Sequence, residues 1–223
     1  INIEASEQYV GIFGRIGGGV QNLIIENVNV KNTFSGYTYV GGLAGWANSK
    51  IENVHVIGNN SIKDTNNSTY SCVGGMFGYF SNGIINNCTI TGQVTTEALG
   101  DRVVGGLIGV ADGTIIENCS SNAVVINNSD EDKMCKLGGL IGDYSGPSMA
   151  KSVLIGDCNT NGKVINNSIK LSYSNLVLGG VIGQYLQGNN RYNVNNLYSE
   201  SVIRSKSSGE IGGLIGFSAG NVD

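Results

Sequence analysis

The sequence predicts an all-β chain wound as a parallel β-helix, with about 31–33 residues and three short strands per coil, in six to seven coils. Three observations predict it. The phrase Gly-Gly-apolar-apolar-Gly closes at Gly45, Gly78, Gly109, Gly142, Gly183 and Gly216, after a worn copy, Val10–Gly14. The closing glycines lie 31, 33, 31, 33, 41 and 33 residues apart, a period that marks stacked supersecondary units. The composition, with 35 glycines against one proline and asparagine scattered among β-branched residues, suits short strands joined by tight turns.

Taken in order, the glycine phrase is the first element. Its two apolar residues, such as Leu107 and Ile108, are adjacent, so a straight strand cannot bury both. Either the glycines bend the chain and turn both inward, or one apolar column faces out and calls for a lateral partner or an overlying layer.

The second element reads apolar, any residue, Asn, then Val, Cys or Leu. It appears as Ile25–Val28, Ile51–Val54, Ile85–Cys88, Ile116–Cys119, Ile155–Cys158 and Val194–Leu197. Both apolar ends point inward only if the chain bends between them, and Asn tolerates the left-handed conformation of such a bend. Asn27, Asn53, Asn87, Asn118, Asp157 and Asn196 are therefore expected to stack as an inaccessible amide ladder, with Asp157 only accepting. The third element, about seven residues on, is apolar at Val94, Val124 to Ile126, Val164 to Ile165 and Val202 to Ile203. These segments are each too short to fold alone and close one coil together. Six or seven coils at about 4.8 Å each make a rod on the order of 30 Å long.

Cys88, Cys119 and Cys158 share one repeat position, so they form an interior column in which Cys acts as a small hydrophobe. Cys72 and Cys135 lie two coils apart, too far for a disulfide. Five thiols make no disulfide framework, and no zinc ligand set completes the column.

The glycine phrases, each followed by its Asn segment, resemble the GLUG motif repeats of bacterial surface and secreted proteins. The resemblance implies a right-handed β-helix serving as a module in large extracellular polypeptides, including amino-terminal regions of some immunoglobulin A metallopeptidases. It implies an extracellular or cell-surface location and says nothing of a reaction. The chain opens on Ile1 and its last phrase closes at Gly216, which reads as a segment of a longer protein with the whole of 1–223 as a single solenoid domain.

Known chemistries find little support. A metallopeptidase needs two histidines on a helix and a glutamate base, and the only histidine is His55, at an exposed strand position. Glycosidases need converging carboxylates. Asp101 with Arg102 and Asp143 near Lys151 are the only mixed pairs, and neither recurs. No basic stripe suits nucleic acid, no apolar run approaches a membrane span, and no cofactor or metal motif is present. Seven Asn-x-Ser/Thr sequons read as chance in so Asn-rich a chain.

The aromatics after the phrase, Trp46, Tyr79 with Phe80, Tyr144, Tyr185 and Phe217, are the best functional clue. Along one edge they make a strip able to stack on sugar rings or anchor a protein. The alternative is that they cap each coil against water, since Arg15, Val110, Asp143 and Gln184 interrupt the column directly after the glycine. The expected function is a non-catalytic structural or adhesive rod, binding a host protein or glycan. The alternatives are a glycan-binding or glycan-cleaving β-helix, an accessory domain of a secreted peptidase, or lateral self-association.

Overall fold

The computed structural model describes residues 1–65, 69–145, 153–186 and 192–219. Three sheets, one of fifteen strands and two of seven, wrap a common core, and every strand pairs in parallel with the equivalent strand of the next coil. The chain is a β-solenoid. Each seven-stranded sheet takes one strand from every copy of the glycine phrase, including the worn one.

The coil around Gly105 shows how the sequence builds this. Strand Asp101–Gly105 runs to the glycine pair, the chain turns, and Ile108–Asp112 leaves it. Ile115–Glu117 then leads to the ladder Asn118, and Ser120–Asn127 completes the circuit. The expected three segments become four strands, because the glycine phrase supplies two and the Asn bend splits the second element, whose latter half runs straight into the third.

The turn at the phrase is a pinch with no room for side chains. A Cβ on Gly105 would lie 1.8 Å from the carbonyl oxygen of Ile108, and the same 1.8 Å recurs at Gly138, Gly179 and Gly212. Both apolar residues that follow point inward: Leu107 and Ile108, like Met76 and Phe77 or Leu140 and Ile141, are fully buried in one core. Of the two options, the inward bend is the one adopted.

At the second bend the left-handed conformation falls where expected. Asn53, Asn87, Asn118, Asp157 and Asn196 have φ between 49° and 54°. In the first coil, however, the register pairs Val20 with Ile51 and Leu23 with Val54, which puts Asn22 (φ 55°), not Asn27, in the ladder. Asn27 occupies the next corner, in file with Gly58 and Gly92, and also has positive φ. Val20-Gln21-Asn22-Leu23 fits the Asn phrase equally well, and Asn22 follows Gly14 by eight residues as Asn53 follows Gly45, so spacing carried the signal.

The ladder is also on the outside. Asn87, Asn118, Asp157 and Asn196 are exposed, and Asn53 is half-buried. The αL turn directs the amide away from the core, while the apolar residues two before it and one after it turn in. Asn53 donates to Asn22 (2.8 Å), Asn87 to Asn53 (3.2 Å) and Asn196 to Asp157 (3.0 Å), whereas Asn118 donates to Asn86. The sequons at Asn87 and Asn118 are accordingly accessible.

A buried polar file does exist, at the end of the third element: Asn32, Asp64, Thr96, Asn127 and Asn166 in successive coils. Asn127 donates to Asn166 Oδ1 at 2.8 Å and accepts from the backbone N–H of Ser129, so each amide closes a turn and links to the next coil. Asp64 accepts from Thr38 and Ser71, and fully buried Arg102 donates to Asn127 and to the carbonyls of Gly100 and Glu131. Buried polar groups are retained where they are bonded, a condition that Asn127 and Asn166 meet, whereas the amide nitrogen of Asn32 has no partner.

The cysteine column is as expected. Cys88, Cys119 and Cys158 are buried and in register, and each thiol donates to the carbonyl two residues before it. The two neighbouring sulfurs and burial together hold the Cys119 thiol well above its ordinary pKa. Cys72 and Cys135 fall in different clusters, one residue out of register, because they face opposite sides of their sheet. The extra length of the long repeat falls in two places. Ten residues separate Ser145 from Ile155, where four separate their partners Asp112 and Ile116, and ten separate Asn166 from Leu176, against eight from Asn127 to Cys135. Lys151 lies outside the described residues.

Candidate functional site: the outer seam of the glycine turn

Because the chain turns sharply at the glycine pair, the outward side chains of the two seven-stranded sheets meet in a seam that runs down the rod. Each coil contributes one residue before the turn and one seven positions later: Tyr39 with Trp46, Cys72 with Tyr79, Val103 with Val110, Lys136 with Asp143, Val177 with Gln184. In the worn first copy, one residue shorter, the pair is Tyr9 and Arg15.

The middle is apolar and closed. Cys72 and Val103 are fully buried, Val110 nearly so, and Tyr39, Tyr70 and Tyr79 pack on them as a cluster separate from the main core. Burial pushes the Cys72 thiol and the Tyr70 and Tyr79 hydroxyls up, so all three stay protonated at neutral pH. Tyr79 donates to Asp112 at 3.0 Å.

Toward the carboxy-terminal end the seam holds an ion pair, Lys136 Nζ to Asp143 Oδ2 at 2.5 Å, with both side chains about nine-tenths buried. Burial raises the Asp143 pKa above 3.8 and Lys136 works against that rise. Desolvation therefore outweighs the pairing, as is common for ion pairs removed from water.

Toward the amino-terminal end the seam is open and aromatic. Tyr9 and Tyr39 stack with ring centroids 5.3 Å apart and planes 10° apart, and Tyr39 meets Tyr79 edge-on at 5.7 Å. Tyr37 and Tyr70 form a second pair at 6.0 Å. The Arg15 guanidinium carbon stands 5.0 Å from the Tyr9 ring centroid and 4.5 Å from that of Trp46, within cation–π range of both. Arg15 and Tyr37 are exposed, and Tyr9, Tyr39, Trp46, Tyr70 and Tyr79 are half-buried.

The structure thus divides the aromatics that the sequence grouped together. Trp46 and Tyr79 lie in the seam. Tyr144 and Tyr185 stand one residue later in their copies, in file with Ala111, fully buried in the main core, where they stack at 5.6 Å. Tyr144 donates to the carbonyl of Thr114. These two rings, with Phe80, fill the coil, while Phe217 shares the Trp46 file. The tyrosines of the preceding strand, Tyr9, Tyr37, Tyr39 and Tyr70, complete the patch; they do not follow the glycine phrase, and the signal that joins them to Trp46 and Tyr79 is the seven-residue pairing across the turn.

The remaining candidates are tied up elsewhere. Arg102 is inside, Asp101 accepts from the N–H of Met134, and Asp143 is closed by Lys136. His55, half-buried, lies 3.0 Å from Asn53 Oδ1. Among the described residues no three His, Cys, Asp or Glu side chains are grouped to hold a metal, and no helix is long and apolar enough to cross a membrane.

No curated protein and no solved structure matches the chain. A family profile described as the GLUG motif matches residues 100–127, the stretch from the start of one glycine strand to the end of its coil. Those residues pair strand for strand with the coils on both sides, so the stretch that matches the GLUG motif is one coil of the stack.

Proposed function

We propose that this chain is a non-catalytic, rod-like module of a bacterial cell-surface or secreted protein, holding neighbouring parts at a distance and offering the aromatic end of its seam to a partner. The observation that carries the reading is unbroken parallel pairing across all seven copies of the phrase, with like side chains filed from coil to coil. A stack of this kind transmits length and stiffness, and its outer positions vary without disturbing the core. The acidic and basic residues best suited to catalysis serve internal contacts instead, which supports a binding role over turnover.

Small-angle scattering on the isolated chain tests the rod, with an elongated particle expected. A reducing-sugar assay over a panel of polysaccharides tests the absence of catalysis, and clear turnover defeats the proposal. The second reading, a glycan-directed β-helix, is favoured by the exposed rings around Trp46 and is tested on a glycan array. Sedimentation at rising concentration decides lateral self-association.

A further inference from the structure

We propose that the amino-terminal end of the seam binds saccharides bearing a carboxylate, the sugar face resting on Trp46 and the neighbouring tyrosines and the carboxylate held by Arg15. The inference rests on the reading of this patch as a partner-binding face and names the partner's chemistry.

Arg15 carries the argument. Its guanidinium lies against two rings, 5.0 Å from Tyr9 and 4.5 Å from Trp46. Arg15 is itself exposed, so its guanidinium meets solvent beside those rings. Among the described residues the ion pairs are Lys50–Glu52, Lys63–Glu97 and Lys136–Asp143, and none involves Arg15. A guanidinium fixed in this way is a preorganised fork for a carboxylate, since the rotamer freedom normally lost on bidentate pairing is already restricted by the rings.

The seam pair four coils on gives the internal comparison, with Asp143 in the file of Arg15 and Lys136 in that of Tyr9. There the seam's cation, Lys136, is neutralised by Asp143 within the coil. At the first coil the residue facing Arg15 is the uncharged Tyr9, so the seam pair itself supplies no counter-charge to the guanidinium.

The surroundings favour a sugar over an acidic peptide. The rings come from successive coils, and the strand spacing of about 4.8 Å is close to one sugar unit. Tyr and Trp offer flat C–H-binding faces fringed by polar groups, which suits a pyranose. Tyr37, 58% exposed, extends the platform to one side.

Trp46 is the only tryptophan in the chain, so emission excited at the red edge, where the ten tyrosines do not absorb, reports on this site. The chain is titrated with trigalacturonate, with 3′-sialyllactose and with lactose. A saturable change is expected with at least one acidic probe, and which of the two identifies uronate or sialate as the source. Lactose is expected to bind about tenfold more weakly or not at all, the loss of one charge-assisted pair. Arg15→Gln, at an exposed position and checked for folding by circular dichroism, is expected to lose the same factor, with Arg15→Lys intermediate. Equal binding of lactose and the acidic probes, an unchanged affinity in Arg15→Gln, or no response to either acidic probe overturns the inference. Those outcomes leave the rod reading intact, whereas turnover of any probe defeats that reading separately.

Discussion

The two ends of the seam share one backbone and one register yet are filled with opposite chemistry. At the amino-terminal end Tyr9, Arg15, Tyr39 and Trp46 leave rings and a guanidinium at the surface. Four coils on, toward the carboxy-terminal end, Lys136 and Asp143 meet across the same turn and close it. The pinch at the glycine pair brings the strands before and after it together, so that side chains meet across the turn at Tyr9 and Arg15 as they do at Lys136 and Asp143. Whether the pair closes on itself or remains available depends on a single choice of residues. The repeat supplies position, and the individual coil supplies chemistry.

The largest expected effect removes what both ends share. Gly105→Ala places a Cβ 1.8 Å from the Ile108 carbonyl and 2.7 Å from the Gly142 nitrogen, both backbone atoms with nowhere to move. A loss on the order of 4 kcal/mol or more is expected by urea denaturation. An unchanged midpoint would mean the turn is not the pinch that forms the seam.

The closed end is broken next. Lys136→Met leaves the Asp143 carboxylate buried without its partner and is expected to cost about 3 kcal/mol, while Lys136→Met with Asp143→Leu recovers most of it. If the double variant is no better than the single, the pair is more than a mutually compensated burial. The same carboxyl gives a pH signature. Its folded pKa lies above 3.8, so the native state takes up that proton first, and its contribution to stability falls as pH rises from 3.8 through the raised value. Asp143→Asn is expected to remove that trend, measured as thermal midpoint against pH.

Smaller effects sharpen the contrast between structural and available residues. Asn118→Leu puts a branched side chain at φ 54° and is expected to cost about 1–2 kcal/mol, with Asn118→Gly within about 0.5 kcal/mol of the parent. Equal losses in both would return the weight to the amide's hydrogen bond. Trp46→Ala, at the half-buried open end, is expected to cost about 1 kcal/mol or less in thermal denaturation, so that its main consequence is on ligand binding.

Much of this architecture was legible in the residues. The glycine period, the parallel stacking, the cysteine column and the left-handed Asn bend all follow from side-chain types recurring at fixed intervals. Asn27 was misplaced because two Asn phrases stand five residues apart in the first coil, and only the strand pairing of Val20 with Ile51 chooses between Asn22 and Asn27. The ladder was expected inside because stacked amides suit a dry interior, but a positive φ turns the side chain out. The buried file of Asn32, Asp64, Thr96, Asn127 and Asn166 escaped notice, because polar residues after an apolar segment read as loop until a turn covers them.

From the order of residues alone came the coil length, the parallel stacking and the places where the chain bends, since glycine and asparagine impose those locally. The closed coil decided which way each side chain faces: Tyr144 and Tyr185 inward, Trp46 and Tyr79 into the seam, one position of offset separating core from surface. It also brought Arg15 between Tyr9 and Trp46 and Lys136 to Asp143. Those contacts cross a turn or a coil, and no local preference encodes a distance that only closure of the coil creates.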